Sequence, residues 1–226
     1  NLERTGHKAV IIAAYKSNIL YCENKPSKAY EINVGGVLQL IKNLSKTSLK
    51  IIFLSSEYVF DGIQGNYNDD HPRNPKTVYG KHKKIIEDKI KNLTDNFLVL
   101  RLSKNYGLKK GDNTILDEAA NLLSQRKKVL AAGDQYFNPT FIDDLVQAII
   151  NIQEKDLTGY INVCAPETWS RFEMHTQLAQ IMNQDKKSIK KIKLYDIPEM
   201  KGRPLNTSMV CNRLKQETQS TFISLN

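Results

Sequence analysis

Short, mostly apolar runs along the chain alternate with longer stretches in which apolar residues recur every three or four positions. Lys8–Ala14, Ile51–Leu54, Phe97–Leu102, Val129–Ala132 and Tyr160–Cys164 are the short runs. They read as strands buried on both faces of a parallel sheet. Ala29, Ile32, Leu38, Ile41 and Leu44 predict the first long helix. Gly35 and Gly36 interrupt it at roughly 1 kcal/mol each against Ala, so close packing on the sheet is the expected compensation. A helix from Val78 to about Leu93 buries Ile86, Ile90 and Leu93. Further helices are predicted around Thr114–Gln125, after Phe141 with Asp143 or Asp144 as cap, and from Ser170 to about Met182. The tail reads as a strand at Ile189–Tyr195, then a loop and a short helix. Strands alternating with helices indicate an α/β fold with a mainly parallel sheet. No internal repeat, low-complexity segment or linker interrupts the pattern.

Composition narrows the partners. The 226 residues suffice for one large or two small domains with a real core. A net charge of +9 suits an anionic partner. The lysines are scattered, however, with short runs such as Lys127-Lys128 and Lys186-Lys187, and no nucleic-acid motif accompanies them. A solvated lysine-rich surface is the expectation, with no nucleic-acid partner; a phosphate-bearing small molecule needs only a few of these charges. Cys22, Cys164 and Cys211 have no paired spacing, which argues against a disulfide framework and suits a reducing cytoplasm. His7, His71, His82 and His175 form no metal-ligand pattern and are assigned to surface or loops, so no metal is expected. No apolar run approaches the ~20 residues of a membrane span.

Candidate chemistry lies in Ile51–Lys83. Ser55 and Ser56 fall where the strand ends, and ligands bind outside the carboxyl ends of such strands. Tyr79 and Lys83 are i and i+4 on the following helix, so phenol and ammonium share one face. A free phenol has a pKa of about 10, and a nearby ammonium is expected to lower it. Tyr79 can then act as acid towards a carbonyl oxygen that Ser56 holds. The competing reading makes Tyr79 a buried aromatic and Lys83 a snorkelling surface lysine.

In order and at close spacing, this stretch resembles the extended short-chain dehydrogenase/reductases, with their Ser/Thr and Tyr-x-x-x-Lys. Tyr58-Val59-Phe60-Asp61-Gly62 and Asn74-Pro75…Val78-Tyr79-Gly80-Lys81 look like the dTDP-4-dehydrorhamnose reductase branch. Ala29…Asn33…Gly36, Arg101…Tyr106-Gly107, Asp134-Gln135…Pro139-Thr140…Asp143-Asp144-Leu145 and Arg203-Pro204-x-Asn206-Thr207 extend the resemblance over nearly the whole chain. It implies a Rossmann-like parallel sheet, N-terminally truncated, with a smaller C-terminal α/β substrate-binding region. Residues 1–104 would be the partial NAD(P)-binding part. Residues 105–226 would be mainly substrate-binding, with segments returning to the sheet.

The implied reaction is reduction by NADPH or NADH of the 4-keto group of a nucleotide-diphosphate-linked 6-deoxyhexose. Ser56, Tyr79 and Lys83 would be catalytic. Ala13 and Ala14 (by backbone), with Tyr79 and Lys83, would meet the cofactor. Ser56, Asn105, Tyr106 and Arg203 would meet the sugar nucleotide, with its diphosphate near Asn105–Gly107 and Gln135–Thr140. A cytoplasmic protein, open to homodimerisation and without a membrane partner, goes with this reading. The rival from the same resemblance is a non-catalytic binding or regulatory protein, like the regulatory subunit of methionine adenosyltransferase.

Three departures are informative. Only one acid, Glu57, follows Ser56, where nucleotide-sugar dehydratases carry two, so a reductase fits better. The family's Asn-Ala-Ala-Ala-Tyr-Thr becomes Ile12-Ala13-Ala14-Tyr15-Lys16-Ser17, and Lys104 stands in place of its sugar-site Trp. No Gly-x-x-Gly-x-x-Gly turn is present, and the chain starts at Asn1. At about 30 residues per βαβ unit, roughly 50 residues of the family fold are expected to be absent. Residues 1–226 alone are therefore expected to bind NADPH poorly, the pyrophosphate having no helix N-terminus to meet it.

Overall fold

A computed structural model describes residues 6–225. In chain order the first half comprises β1 (Ala9–Ile12), α1 (Ile19–Asn24), α2 (Pro26–Tyr30), α3 (Val37–Leu44), β2 (Lys50–Ser56), α4 (Val78–Ile90), β3 (Phe97–Leu102) and β4 (Asn105–Tyr106). The second half comprises α5 (Ile115–Ser124), β5 (Val129–Ala132), β6 (Tyr136–Phe137), β7 (Thr140–Phe141), α6 (Ile142–Glu154), β8 (Gly159–Val163), β9 (Trp169–Ser170), α7 (Arg171–Ile181), β10 (Ile189–Ile192) and α8 (Asn212–Thr218). The main sheet has the order β1-β2-β3-β8, and every pairing in it is parallel. Small two-stranded pairings, β5 with β10, β4 with β7 and β6 with β9, build the C-terminal part.

The apolar runs are continuous because both sheet faces are covered. Ile51, Phe53 and Val99 pack with Val37 and Ile41 of α3 and Ile86 and Ile90 of α4. Their neighbours Ile52, Leu98 and Leu100 point the other way, towards Leu145, Ala148 and Ile152 of α6 and Leu214 of α8. Period-two alternation thus splits each strand between two cores. Ala119, Leu123, Val129, Ala131, Ala179 and Ile189 form a separate C-terminal cluster.

Some expectations give way. Gly35 and Gly36 are exposed, and a Cβ on either would meet only the backbone of their own helix, at 4.0 and 3.7 Å. They lie in a π-helical stretch, Glu31–Gly36, between α2 and α3, so sheet packing is not what retains them. In α6 the cap position is Phe141, without a side-chain cap; Asp143 and Asp144 fall in the first turn, where they complement the helix dipole instead. His82 and His175 are buried rather than at the surface, because each lies on the packed face of its helix. Among the described residues, no helix is long and apolar enough to cross a membrane.

One carboxylate ties the sheet to α4. Glu87 is fully buried and accepts from the Ser55 hydroxyl of β2 at 2.5 Å and from Arg101 Nη2 of β3 and Arg73 Nη1 at 2.9 Å each. Its backbone carbonyl accepts from the Tyr160 hydroxyl of β8 at 2.8 Å. Arg101 in turn donates to the Asp69 carbonyl at 2.7 Å and lies 5.3 Å from the Phe60 ring centre and 5.2 Å from that of Tyr160. Removing one partner of such a pair leaves buried charge unanswered. Glu87→Gln, which keeps the volume and deletes the charge, is expected to lower unfolding free energy by about 3–5 kcal/mol. Urea denaturation at neutral pH checks this.

Candidate active site

The carboxyl end of β2 sends its two hydroxyls to opposite faces. Ser55 is consumed by Glu87. Ser56 instead caps a 3₁₀ turn, Glu57–Val59, accepting from the Tyr58 N–H at 3.3 Å. That turn is where α4 docks. A Cβ on Gly80 would sit 2.1 Å from the Tyr58 carbonyl oxygen, so only glycine allows the approach. Thr77 fixes the helix start by accepting from the Gly80 N–H at 3.1 Å. Tyr79 is thereby seated with its phenol hydrogen-bonded to the Ser56 hydroxyl. Its ring meets those of Tyr15 and Tyr58 edge-on, at 5.7 and 6.0 Å between centres.

Lys83 follows one turn later, 4% exposed. Its Nζ donates to the Leu54 carbonyl at 2.6 Å and lies 3.4 Å from the Tyr15 ring centre and 5.7 Å from that of Tyr79. Burial lowers its pKa to about 7, against the opposing pull of Glu87. The expected lowering of the Tyr79 phenol does not occur. Burial raises it well above the ordinary phenol range, the charges of Glu57, Tyr58 and Cys22 add to this, and the Ser56 bond only partly offsets it. The physical reason is the aim of the ammonium, which engages Leu54 and the face of Tyr15 rather than the phenol oxygen.

Beyond Tyr58 the site is basic. Lys104, Arg171 and Arg203 are close enough that the two guanidinium charges join burial in depressing the Lys104 pKa, to about 8, with Glu57 opposing. Glu57 is 3% exposed, and burial raises its pKa to about 7 despite the Ser103 and Thr207 hydroxyls and the Lys104 ammonium and backbone N–H. Arg203 hydrogen-bonds the buried Tyr58 phenol, and its Nε has no partner. The Arg203 segment is held from below: Gly62, at φ +70°, would place a Cβ 2.1 Å from Pro204 Cβ, and the Asn206 N–H donates to the Gly62 carbonyl at 2.9 Å. The Tyr58–Gly62 and Arg203–Thr207 motifs are therefore one contact surface. Two clefts, of about 260 and 470 Å³, adjoin Arg203 and share Lys76 and Gly202 with it.

Arg171 escaped the sequence reading. Ser170 and Glu173 form a reciprocal capping box that makes Arg171 the first helical residue, and its Nε donates to Gln135 Oε1 at 3.0 Å. The Ser-x-x-Glu spacing was the available signal. Tyr15, Tyr58 and Glu57 were likewise not assigned roles. Ala13 and Ala14 are exposed just past β1, next to Tyr15, whose buried hydroxyl has no partner. These groups and Lys83 fit the nicotinamide end of a dinucleotide. Asn105 is half-buried in β4 with its Oδ1 unpartnered. Tyr106 lies instead in an apolar cluster with Ile115, Leu116, Phe137 and Met174, and is not brought to Tyr79. Among the described residues no group of His, Cys, Asp and Glu could hold a metal ion.

The chain is 27% identical over 219 residues to dTDP-4-dehydrorhamnose reductase of Aggregatibacter actinomycetemcomitans, covering 92% of this chain and 74% of that protein. It is 27% identical over 203 residues to methionine adenosyltransferase 2 subunit beta of Bos taurus, covering 85% of this chain and 60% of that one. The crystal structure of dTDP-4-dehydrorhamnose reductase from Bacillus anthracis in complex with NADP superposes with a TM-score of 0.90 at 23% identity, over 99% of this chain and 79% of that one. The chain spans from 50% to 74% of the length of the first curated relatives that it matches. The family described as RmlD substrate binding domain matches residues 1–223, essentially the whole chain, and the protein belongs to that family.

Proposed function

We propose that this chain carries the reacting centre of an NADPH- or NADH-dependent reductase acting on the 4-keto group of a nucleoside-diphosphate-linked 6-deoxyhexose, dTDP-4-dehydrorhamnose or a near relative. The observation that carries the reading is the Tyr79–Ser56 pair at the end of β2, with buried Lys83 on one side and the Lys104, Arg171 and Arg203 cluster on the other. Phenol and hydroxyl are both donors, and together they bind a carbonyl oxygen. The dinucleotide, when bound, supplies hydride to the carbonyl carbon. Tyr79 gives its proton to the oxygen. Its raised pKa keeps it protonated at neutral pH, and a developing alkoxide is a stronger base than a phenolate, so the transfer remains favourable. Lys83, one turn along the same helix, would hold the ribose. The three cations suit a diphosphate, because fixed guanidinium forks neutralise phosphate oxygens in defined geometry.

A regulatory, non-catalytic role is the second reading. It is favoured by the Lys83 ammonium, which engages Leu54 and Tyr15 instead of sharpening Tyr79, and by the likeness to the methionine adenosyltransferase subunit. A thermal-shift screen of the full-length protein separates the two. Stabilisation by dTDP- or UDP-sugars supports the reductase, and no response to any nucleotide sugar supports the regulatory role.

In the full-length protein, Tyr79→Phe is expected to lower kcat by about 10²–10⁴-fold while leaving NADPH affinity nearly intact. Lys83→Ala is expected to impair both. Stopped-flow NADPH oxidation with a dTDP-4-keto sugar, alongside NADPH titration, makes the comparison; near-normal turnover of the Phe variant rules out Tyr79 as the acid. Lys83 also sets a pH signature in stability. Its folded pKa lies below its unfolded one, so its contribution is present above the unfolded value and is lost as pH falls through about 7. Lys83→Met is expected to gain stability over wild type as pH drops from 10 towards 7. Paired urea titrations at several pH values measure that gap.

A further inference from the structure

Two lysine runs stand outside the candidate active site. Lys127-Lys128 precedes β5, and Lys186-Lys187 precedes β10. Far apart in sequence, they become neighbours because β5 and β10 pair in parallel, Val129 opposite Ile189 and Leu130 opposite Lys190. Paired strands lie about 4.8 Å apart, so the two runs enter the sheet side by side. Arg126, just before the first run, and Lys190, soon after the second, enlarge the patch. Across 126–130 and 185–190, six cations stand against one carboxylate, Asp185, and all six are exposed. Among the described residues none of the six forms an ion pair. Lys191 differs, lying 5.2 Å from the Phe172 ring centre and against Gly133.

Local stability explains only part of this. A cation after a helix complements its dipole, which suits Arg126 at the end of α5. Lysine on an edge strand deters pairing with other chains, which suits Lys190. Neither accounts for four lysines at the entries of two strands. Arg126 also carries a backbone cost. It sits at φ 55°, its N–H donating to the Leu123 carbonyl at 2.9 Å, in a left-handed position that glycine or asparagine ordinarily fills. After α7 the left-handed residue is Asn183, at φ 53°. An arginine kept where asparagine serves elsewhere is an arginine whose charge is used.

The chemistry of the cations selects the partner. Five of the six are lysines, compact charges on flexible stems, without the guanidinium fork that fixes a phosphate in one geometry. No aromatic residue stands among them to stack a base. An acidic protein would need an apolar interface core as well, and Leu130 alone does not make one. Mobile anionic headgroups need neither, and clusters of about four to eight basic residues draw them. Leu130, 52% exposed, lies on the same face as Lys190 and offers an apolar contact beneath the headgroups. We propose that Arg126–Lys128, Lys186-Lys187 and Lys190 form a docking patch for an anionic phospholipid surface, holding the protein at the membrane without a span. The patch occupies the amino ends of β5 and β10, whereas Gln135, the partner of Arg171, and the Arg203 segment follow their carboxyl ends. Docking therefore leaves the candidate active site open, and the proposal does not depend on the reductase reading.

The test is co-sedimentation of the full-length protein with phosphatidylcholine vesicles, with and without phosphatidylglycerol. Wild type is expected to bind the anionic vesicles and not the neutral ones, and to be released at about 1 M salt, where the screening length falls to about 3 Å. Each cation near such a surface multiplies partitioning by roughly fivefold. Lys127→Ala combined with Lys187→Ala is therefore expected to weaken binding by roughly 25-fold. Lys28→Ala combined with Lys215→Ala, on α2 and α8, is expected to leave it unchanged. All four positions are exposed, and urea unfolding confirms that the variants are folded. Failure of wild type to bind anionic vesicles at low salt overturns the proposal. Equal weakening by the two double variants overturns the assignment to this patch. Capture of RNA or poly-glutamate, but not of vesicles, overturns the bilayer as the partner.

Discussion

A single buried carboxylate fixes the frame on which the site depends. Glu87 gathers a hydroxyl from β2, a guanidinium from β3 and another from the loop before α4, while its own carbonyl receives a phenol from β8. Three of the four sheet strands and the helix bearing Tyr79 and Lys83 are thereby held in one register. Apolar packing alone would not do this, because side chains such as Ile86 and Ile90 tolerate small slides. Directional bonds to a buried charge do not. Lys83, one turn before Glu87, inherits its placement from this contact.

Around that frame the site runs on burial more than on pairing. Tyr79 and Glu57 are both held towards their neutral forms, and Lys83 and Lys104 are pushed to give up protons near neutrality. Groups in this state gain from a ligand that brings charge or hydrogen bonds, since the cost of dehydration has already been incurred in folding. The cationic cluster fits the same logic. Lys104, Arg171 and Arg203 repel one another in a low-dielectric setting, opposed by Glu57 at Lys104 and Glu118 at Arg171, an arrangement that an anion relieves further.

Much of this was legible in the residue order. Apolar runs placed the strands of the main sheet because both faces are covered, and the Tyr79/Lys83 spacing placed two side chains on one helix face. What escaped depends on contacts between distant segments. Nothing local distinguishes Ser55 from Ser56, yet the pleat sends one to Glu87 and the other to Tyr79. The phenol acidity was misjudged because spacing reveals proximity and not aim: the Lys83 ammonium reaches Leu54 instead. Gly35 and Gly36 misled because a glycine pair suggests close packing, whereas here the backbone widens into a π-helical stretch. Arg171 was hidden behind a capping box that fixes where its helix begins.

The contact of the Gly62–Asn66 loop with the Arg203–Ser208 tail has a consequence for how the protein is made. Asn66 donates to the Ser208 hydroxyl, and Tyr67 pairs with Met209, across separations of about 140 residues. Chains emerge from the ribosome from the N-terminus at about 5–20 residues per second. Tyr79, Ser56 and Lys83 are therefore synthesised several seconds before Arg203 exists. During that interval the nascent sheet carries Ser56, Tyr79 and Lys83 without the Arg203 segment that packs against Tyr58 and Gly62. Synthesis itself thus orders assembly: the frame comes first, and the Arg203–Ser208 segment closes on it later.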